Sequence, residues 1–277
     1  MNPLIAIAGS LYRGINRLRR ALYRAGILRG RKLPRPVISI GNIAAGGAGK
    51  TPAVIALCRY LEGRGRRVAV LTRGHGRVGA EQGLVTALDP LRFGDEPVLI
   101  KKSAPYVDVI VGANRYDNAV GINTDIFILD DGFQHLQLER DLDVVIDVPD
   151  AEFYREGRSA LQDADIIISR NVRLHIPDTL RGRRLFAFAG LADNKQFFRS
   201  LTDAGLTLAG TLTFRDHHRY TPHDLDRIAA AAKDAGAELI VTTEKDAVKI
   251  DRHDMIPIAA HFVLPDELLE RVAALLS

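Results

Sequence analysis

The chain has 277 residues, 47% of them hydrophobic and 26% charged, with a formal net charge of +4 and one cysteine, Cys58. That balance suits a globular protein of one large or two modest domains. It excludes an internal disulfide, and no apolar stretch approaches the ~20 residues needed to cross a bilayer.

The charge is unevenly placed. Eleven Lys/Arg and no acid precede Glu62, whereas the rest of the chain carries 27 basic and 34 acidic residues. Within the basic segment Leu4, Ala8, Leu11, Ile15, Leu18 and Leu22 recur at spacings of three and four, which places them on one helical stripe. Arg13, Arg17, Arg20 and Arg24 share that spacing on the opposing side. A basic amphipathic helix over residues 1–30 is expected, lying in a membrane interface with its arginines on anionic headgroups. No aromatic stacking platform accompanies the arginines, so a nucleic-acid partner is not expected.

The apolar run Pro36 to Ile40 ends in Gly41-Asn42 and leads to Gly46-Gly47-Ala48-Gly49-Lys50-Thr51-Pro52. A buried strand, a glycine loop closing on Lys-Thr and then a helix is how a chain cradles a triphosphate: backbone N–H groups turn onto phosphate oxygens and the helix N-terminus adds its dipole. Lys50 is positioned for the β- and γ-phosphates, and the Thr51 hydroxyl for Mg²⁺. Ala44 stands where the first glycine of the general motif belongs.

Further apolar strands are predicted at Val68–Leu71, Val107–Val111, Ile126–Leu129, Leu142–Val148 and Ile166–Ser169, alternating with helices over Thr51–Glu62, Asp95–Lys102 and Asn114–Gly121. Strands that are apolar throughout, alternating with helices, predict an α/β fold with a parallel sheet covered on both faces. Cys58 falls on the first of these helices and reads as a packed thiol. Residues 171–184 read as a polar connector. A second, smaller α/β unit follows, with strands Leu185–Ala189, Leu206–Phe214, Leu239–Thr242 and Ile256–Val263, and a last helix from Pro265.

The expected strand ends collect the chemistry. Thr72-Arg73-Gly74 follows one strand and Arg115 opens a helix after another, positions suited to clamping phosphate bidentately. Gly94-Asp95-Glu96-Pro97 opens a helix, so Asp95 is either a helix cap or a carboxylate that accepts a substrate hydroxyl proton. Asp130-Asp131 ends a buried strand where an acid can hold Mg²⁺; on a continuing strand the two point to opposite faces, which leaves open which one does so. Asp216-His217-His218 ends a strand of the second unit, where a histidine can tune an acidic base.

These blocks, in order, resemble the tetraacyldisaccharide 4'-kinases of the lipid A pathway in Gram-negative bacteria. The carriers are Gly41-Asn42, the glycine loop, Arg73-Gly74, Gly94-Asp95-Glu96-Pro97, Asp130-Asp131-Gly132-Phe133-Gln134-His135, Phe214-Arg215-Asp216-His217 and Thr243-Glu244-Lys245-Asp246-Ala247-Val248-Lys249. The resemblance implies transfer of the ATP γ-phosphate to the 4'-hydroxyl of a tetraacylated disaccharide 1-phosphate, with Mg²⁺, at the cytoplasmic face of the inner membrane. It implies a P-loop kinase domain over residues 31–184 and a smaller C-terminal domain over 185–277 that closes the cleft. By the same resemblance Asp95 is the base, His217 its partner and Lys50 the phosphate lysine. Arg73, Gly74, Arg115, Gln134, His135 and Arg155 then serve the acceptor. The loop before Arg155 is shorter here than the family's. The competing expectation is a membrane-associated P-loop switch ATPase of the positioning or partitioning type; that class carries a lysine before the paired glycines, where this chain has Ala45, a residue outside the described structure.

Overall fold

The computed structural model describes residues 3–44, 46–79, 81–149, 151 and 153–276, with side chains of the first helix described from residue 14 onward. Helix α1 spans Pro3–Arg24 and is followed by β1 (Val37–Gly41), α2 (Lys50–Glu62), β2 (Val68–Thr72), β3 (Gly83–Leu84), α3 (Pro90–Phe93), α4 (Asp95–Ser103), β4 (Asp108–Val111), α5 (Arg115–Ala119), β5 (Ile126–Asp130), β6 (Leu142–Asp147) and β7 (Ile166–Ser169). These strands form one sheet in the order β3-β4-β2-β5-β1-β6-β7, parallel except for the edge strand β3. All five residues of β1, β2 and β5 are buried, as expected of strands covered on both faces.

The second sheet holds β8 (Val172–His175), β9 (Arg184–Ala189), β10 (Thr207–Thr213), β11 (Leu239–Thr243) and β12 (Met255–Phe262), in the order β10-β9-β11-β12-β8. Helices α6 (Asn194–Asp203), α7 (Pro222–Asp234), α8 (Glu244–Ala247) and α9 (Asp266–Ala274) complete the chain. Packing is layered as the patterning predicts. Leu57 and Leu61 of α2 cover one face of the first sheet, and Leu33, Ala119 and Leu138 cover the other.

The two units exchange their ends relative to the sequence expectation. The stretch read as a connector contains β8, which pairs antiparallel with β12 and so belongs to the second sheet. Conversely, α9 packs Leu268 and Val272 into the core of the first sheet, and Tyr60 Oη donates to the Leu269 carbonyl at 3.2 Å. The chain therefore crosses between units twice, and the crossings are tied by the Val263 amide donating to the Asn171 carbonyl at 2.9 Å. Short apolar runs signal strands, but an alternating polar edge strand such as β8 gives a weaker signal than the buried ones.

Helix α1 also departs from expectation. Arg20, placed by its spacing among the headgroup-facing arginines, is 5% exposed. It pairs with Glu156 at 2.5 Å and Asp163 at 3.0 Å, and its guanidinium lies 4.0 Å from the Phe133 ring centre. Arg24 pairs with Asp163 as well. Ile15 and Leu18 of the apolar stripe are 55% and 62% exposed. The helix is thus fastened to the protein by charge and turns apolar side chains outward. Leu4, Ala8, Leu11 and Arg13 lie outside the described side chains. Among the described residues no helix is long and apolar enough to cross a membrane.

Candidate active site

A cavity of about 580 Å³ opens between the two units at the C-terminal ends of β1, β2 and β5. Gly46, Gly47, Ala48, Gly49, Lys50, Thr51 and Pro52 line it, as do Arg73, Arg115, Asp130, Asp131, Arg155 and His217. From the second unit come Val172, Leu191, Lys245 and Ile258.

The glycine loop is built by backbone geometry. Gly49 is the N-cap of α2 with φ +84°, a left-handed conformation, and makes no side-chain cap. A Cβ there would lie 2.8 Å from Val172 Cγ2, so only glycine lets the second unit rest on the loop. The first amides of α2 are left facing the cavity, the standard anion-binding end of a helix. Lys50 Nζ reaches Asn42 Oδ1 at 3.1 Å and Asp131 Oδ1 at 3.5 Å.

Both carboxylates at the end of β5 face this cavity. The strand stops at Asp130, and Asp131 takes φ +51°, unusual for a residue with a side chain, so the alternation expected from an extended strand is broken. Asp131 accepts from Arg155 Nη1 at 2.9 Å and Nη2 at 3.0 Å. Burial opposes ionisation of Asp131, but Lys50 and Arg155 overcome it and hold the carboxyl at about 2. Asp130 is buried and accepts from the Thr72 hydroxyl at 3.0 Å. Burial, with Asp131 and Glu96 adding negative charge, pushes it up to about 7.

Among the described residues no three His, Cys, Asp or Glu side chains gather around one point. The protein therefore offers an all-oxygen set of a hydroxyl, Thr51, and the Asp130–Asp131 pair. That set fits Mg²⁺, which keeps waters and takes phosphate oxygens for its remaining positions. A divalent cation beside buried Asp130 would favour its ionised form against burial and the neighbouring carboxylates Asp131 and Glu96.

Opposite this cradle, Asp95 Oδ2 lies 3.1 Å from His217 Nδ1. Asp95 and Glu96 occupy the first turn of α4, where the helix dipole favours carboxylates. His217 has φ +55°, a second uncommon backbone conformation at the site. Burial works to raise the Asp95 carboxyl, but the His217 hydrogen bond and the charges of Lys249, His217 and Lys245 outweigh it and hold it below the ordinary value. The hydrogen bond that its Nδ1 donates to Asp95 raises His217, against burial and Lys245. His217 and Glu96 line the cavity, while Asp95 is 5% exposed and stands behind the imidazole.

The other expected residues fall into two layers. Arg73, Arg115 and Arg155 reach the cavity wall. Gly74 is buried, with Val111 Cγ1 and the Phe93 carbonyl 2.3 and 2.8 Å from where a Cβ would stand, so it shapes the turn. Gln134 donates to the Asn42 carbonyl at 2.9 Å, and His135 Nδ1 lies 3.4 Å from Arg115 Nη1. Both sit behind the wall and brace it. Burial and the positive charges of Arg115, Arg19, Arg140 and Arg73 press His135 down to about 3. His218 turns away to Asp224 in the capping box of α7.

Sequence reasoning did not single out Glu96, Asn42 or His75, and it read Lys245 only as part of the charged cluster of residues 242–249 able to face the cleft between the units. Lys245 Nζ lies 2.8 Å from Glu96 Oε1 and 3.3 Å from His217 Nε2, joining the units at the cavity rim. His75 stacks edgewise on His217 with ring centres 5.1 Å apart. Glu96 was legible beside Asp95 in the first turn of α4; Asn42 was legible only as part of a recurring Gly-Asn block.

Comparison with known proteins shows the family. A family model described as tetraacyldisaccharide-1-P 4'-kinase matches residues 1–178 and 155–277. The chain is 38% identical to the tetraacyldisaccharide 4'-kinase of Geobacter metallireducens, over 89% of this chain and 88% of that protein. It is 35% identical to that of Pelobacter propionicus, over 87% and 81%. The crystal structure of LpxK from Aquifex aeolicus, solved in complex with ATP, superposes with a TM-score of 0.79 at 27% identity, covering 99% of each chain. By sequence and by fold, the chain belongs to the tetraacyldisaccharide-1-P 4'-kinase family.

Proposed function

We propose that this protein transfers the γ-phosphoryl group of ATP to the 4'-hydroxyl of a tetraacyldisaccharide 1-phosphate, giving lipid IVA in lipid A biosynthesis. The observation that carries the reading is one cavity with a phosphate cradle on one wall and His217 on another, Asp95 being hydrogen-bonded to that imidazole from behind. The glycine loop and Lys50 hold the β- and γ-phosphates, leaving Asn42 and Asp131 when phosphate arrives. Thr51 and the Asp130–Asp131 pair would hold Mg²⁺, which would supply charge neutralisation for the transferred phosphoryl group.

Asp95 and His217 take the 4'-hydroxyl proton as its oxygen attacks the γ-phosphorus and ADP leaves. Asp95 is the base in the primary reading, because it is held ionised well below neutral pH. A second reading makes His217 the acceptor with Asp95 orienting it, because the imidazole faces the cavity and the carboxylate stands behind. Arg73 and Arg115 are placed to hold anionic groups of the acceptor, with His135 and Gln134 bracing that wall. Arg155 secures Asp131 and the loop through the Ala44 carbonyl.

The catalytic domain in this reading runs to β7 and takes back α9, and the smaller unit that closes the cleft spans β8 to β12. The protein is peripheral to the cytoplasmic face of the inner membrane, α1 meeting anionic lipid through its exposed Ile15 and Leu18 and through exposed Arg17. A switch ATPase has no use for an acid–histidine pair drawn from two units beside the phosphate cradle. The test is incubation with γ-phosphate-radiolabelled ATP, Mg²⁺ and the disaccharide 1-phosphate, with products separated by lipid chromatography. Label in a lipid bisphosphate supports the reading; label only in inorganic phosphate, with or without the lipid, overturns it.

A further inference from the structure

Behind Asp95 a second cation comes from the other unit. Lys249 follows α8, and its side chain is 6% exposed. Its Nζ lies 3.5 Å from Asp95 Oδ2 and 2.8 Å from Asp246 Oδ1, and it sits over the Tyr220 ring at 5.3 Å. Asp246 is fully buried and anchored: its Oδ2 accepts from the Gly190 amide at 2.9 Å and the Thr243 hydroxyl at 2.8 Å. The ammonium makes no contact of hydrogen-bond geometry among the described residues. It therefore acts on its neighbours as a charge. Burying such a group is costly, and an acid left beside it after its removal would be costly too.

We propose that Lys249 is a positioning residue for the proton-accepting carboxylate: carried by the second unit and fixed by Asp246, it keeps Asp95 ionised and oriented when the units meet. This rests on the reading of Asp95 as the base. The row His217–Asp95–Lys249–Asp246 alternates charge across the boundary, and only Asp95 belongs to the first unit. An open arrangement would leave Asp95 without either cation, so the base becomes competent only with the cleft closed. Among the described residues the other charged or titratable groups around Asp95 are Lys245 and Tyr220 from the second unit and Glu96 on its own helix, with Asp216 and His75 beside His217. Of the cations around the carboxylate, Lys249 is set apart from the cavity, so its removal leaves the lining intact.

The experiment compares Lys249→Gln, which keeps a polar side chain but no charge, with Lys249→Arg. Both are measured in the full chain with ATP, Mg²⁺ and the disaccharide acceptor, across pH. Lys249→Gln should lower kcat about tenfold or more, change KM for ATP less than about twofold, and move the acid limb of the kcat profile up by about one unit or more. Lys249→Arg should leave that limb near its wild-type position. In an Asp95→Asn background, Lys249→Gln should add less than about a further twofold. An unmoved acid limb, or a full multiplicative loss on top of Asp95→Asn, overturns the proposal. Near-wild-type turnover of Asp95→Asn alone overturns instead the reading of Asp95 as base. Circular dichroism checks folding, and if Lys249→Gln does not fold, the double variant Lys249→Met with Asp246→Asn removes the buried pair together and is read by the same acid limb.

Discussion

Asp95 and His217 meet at 3.1 Å although 122 residues of chain separate them, and each belongs to a different sheet unit. The hydrogen bond is therefore both a piece of chemistry and a piece of domain packing. Variants that touch it are expected to report on catalysis and on closure at once.

Asp95→Ala should lower kcat about 10²–10⁴-fold while moving KM for ATP little, because a base acts on the acceptor hydroxyl in the transition state. His217→Ala should cost less, and the double variant should be scarcely worse than Asp95→Ala, since paired groups act as a unit. Steady-state kinetics of the three variants measures this. A deeper loss from His217→Ala than from Asp95→Ala would favour the imidazole as acceptor. Independent, multiplicative losses would show that the two do not cooperate.

The same pair predicts how stability follows pH. Asp95 is depressed in the folded protein, so its contribution is present above the ordinary carboxylate value of 3.8 and is lost as pH falls through the lower folded value. His217 is raised, so its contribution is complete below its ordinary value of 6.5 and is lost as pH rises through the higher folded value. Both charges are present together between those limits. Calorimetric Tm should therefore fall as pH rises above 6.5 and through the higher folded value of His217, and His217→Phe should flatten that fall. A slope unchanged by the substitution would mean that other groups carry it.

The parallel sheet was readable because β1, β2 and β5 are apolar but for Ser39, Thr72 and Asp130, and burial on both faces demands a nearly continuous apolar run. The phosphate loop was readable because its chemistry depends on backbone and so needs glycine at fixed places. Arg20 was misplaced for the opposite reason: helical spacing says which side chains share a face, but not which face meets the protein. A buried arginine is legible only once Glu156 and Asp163, more than 130 residues away, are known to stand opposite. The contact between Glu96 and Lys245 was hidden likewise, since their meeting is a product of tertiary packing. The left-handed turn at Asp131 gave no signal beyond the following glycine, yet it brings both carboxylates to one cavity.

Lys50→Ala and Thr51→Ala should each lower turnover by about three orders of magnitude or more, with circular dichroism unchanged. Lys50 is the cation nearest Asp131 on the loop itself, and Thr51 presents the one hydroxyl in the first turn of α2. Raising Mg²⁺ should restore part of the Thr51→Ala loss and none of the Lys50→Ala loss, because only the former is a metal ligand. Near-native turnover in both purified variants would sink the phosphate-loop assignment.

Helix α1 separates two roles that one substitution would confuse. Arg20 fastens it through a buried pair with Glu156, so Arg20→Ala leaves a buried carboxylate without its partner; such losses run to about 3–5 kcal/mol. Ile15 and Leu18 touch solvent, so Ile15→Asp with Leu18→Asp should leave Tm nearly unchanged. The expected result is a crossed pattern. Arg20→Ala should lower Tm and disturb the loop that carries Arg155, yet retain sedimentation with vesicles of anionic phospholipid. The double aspartate variant should keep Tm but lose sedimentation, and its activity should drop on bilayer-embedded acceptor while persisting on detergent-dispersed acceptor. Removing residues 1–25 should combine both effects, because it deletes the apolar surface and strands Glu156 together. If the double aspartate variant still sediments with anionic vesicles as the wild type does, Ile15 and Leu18 do not form the membrane contact, and the outward face of α1 serves some other partner.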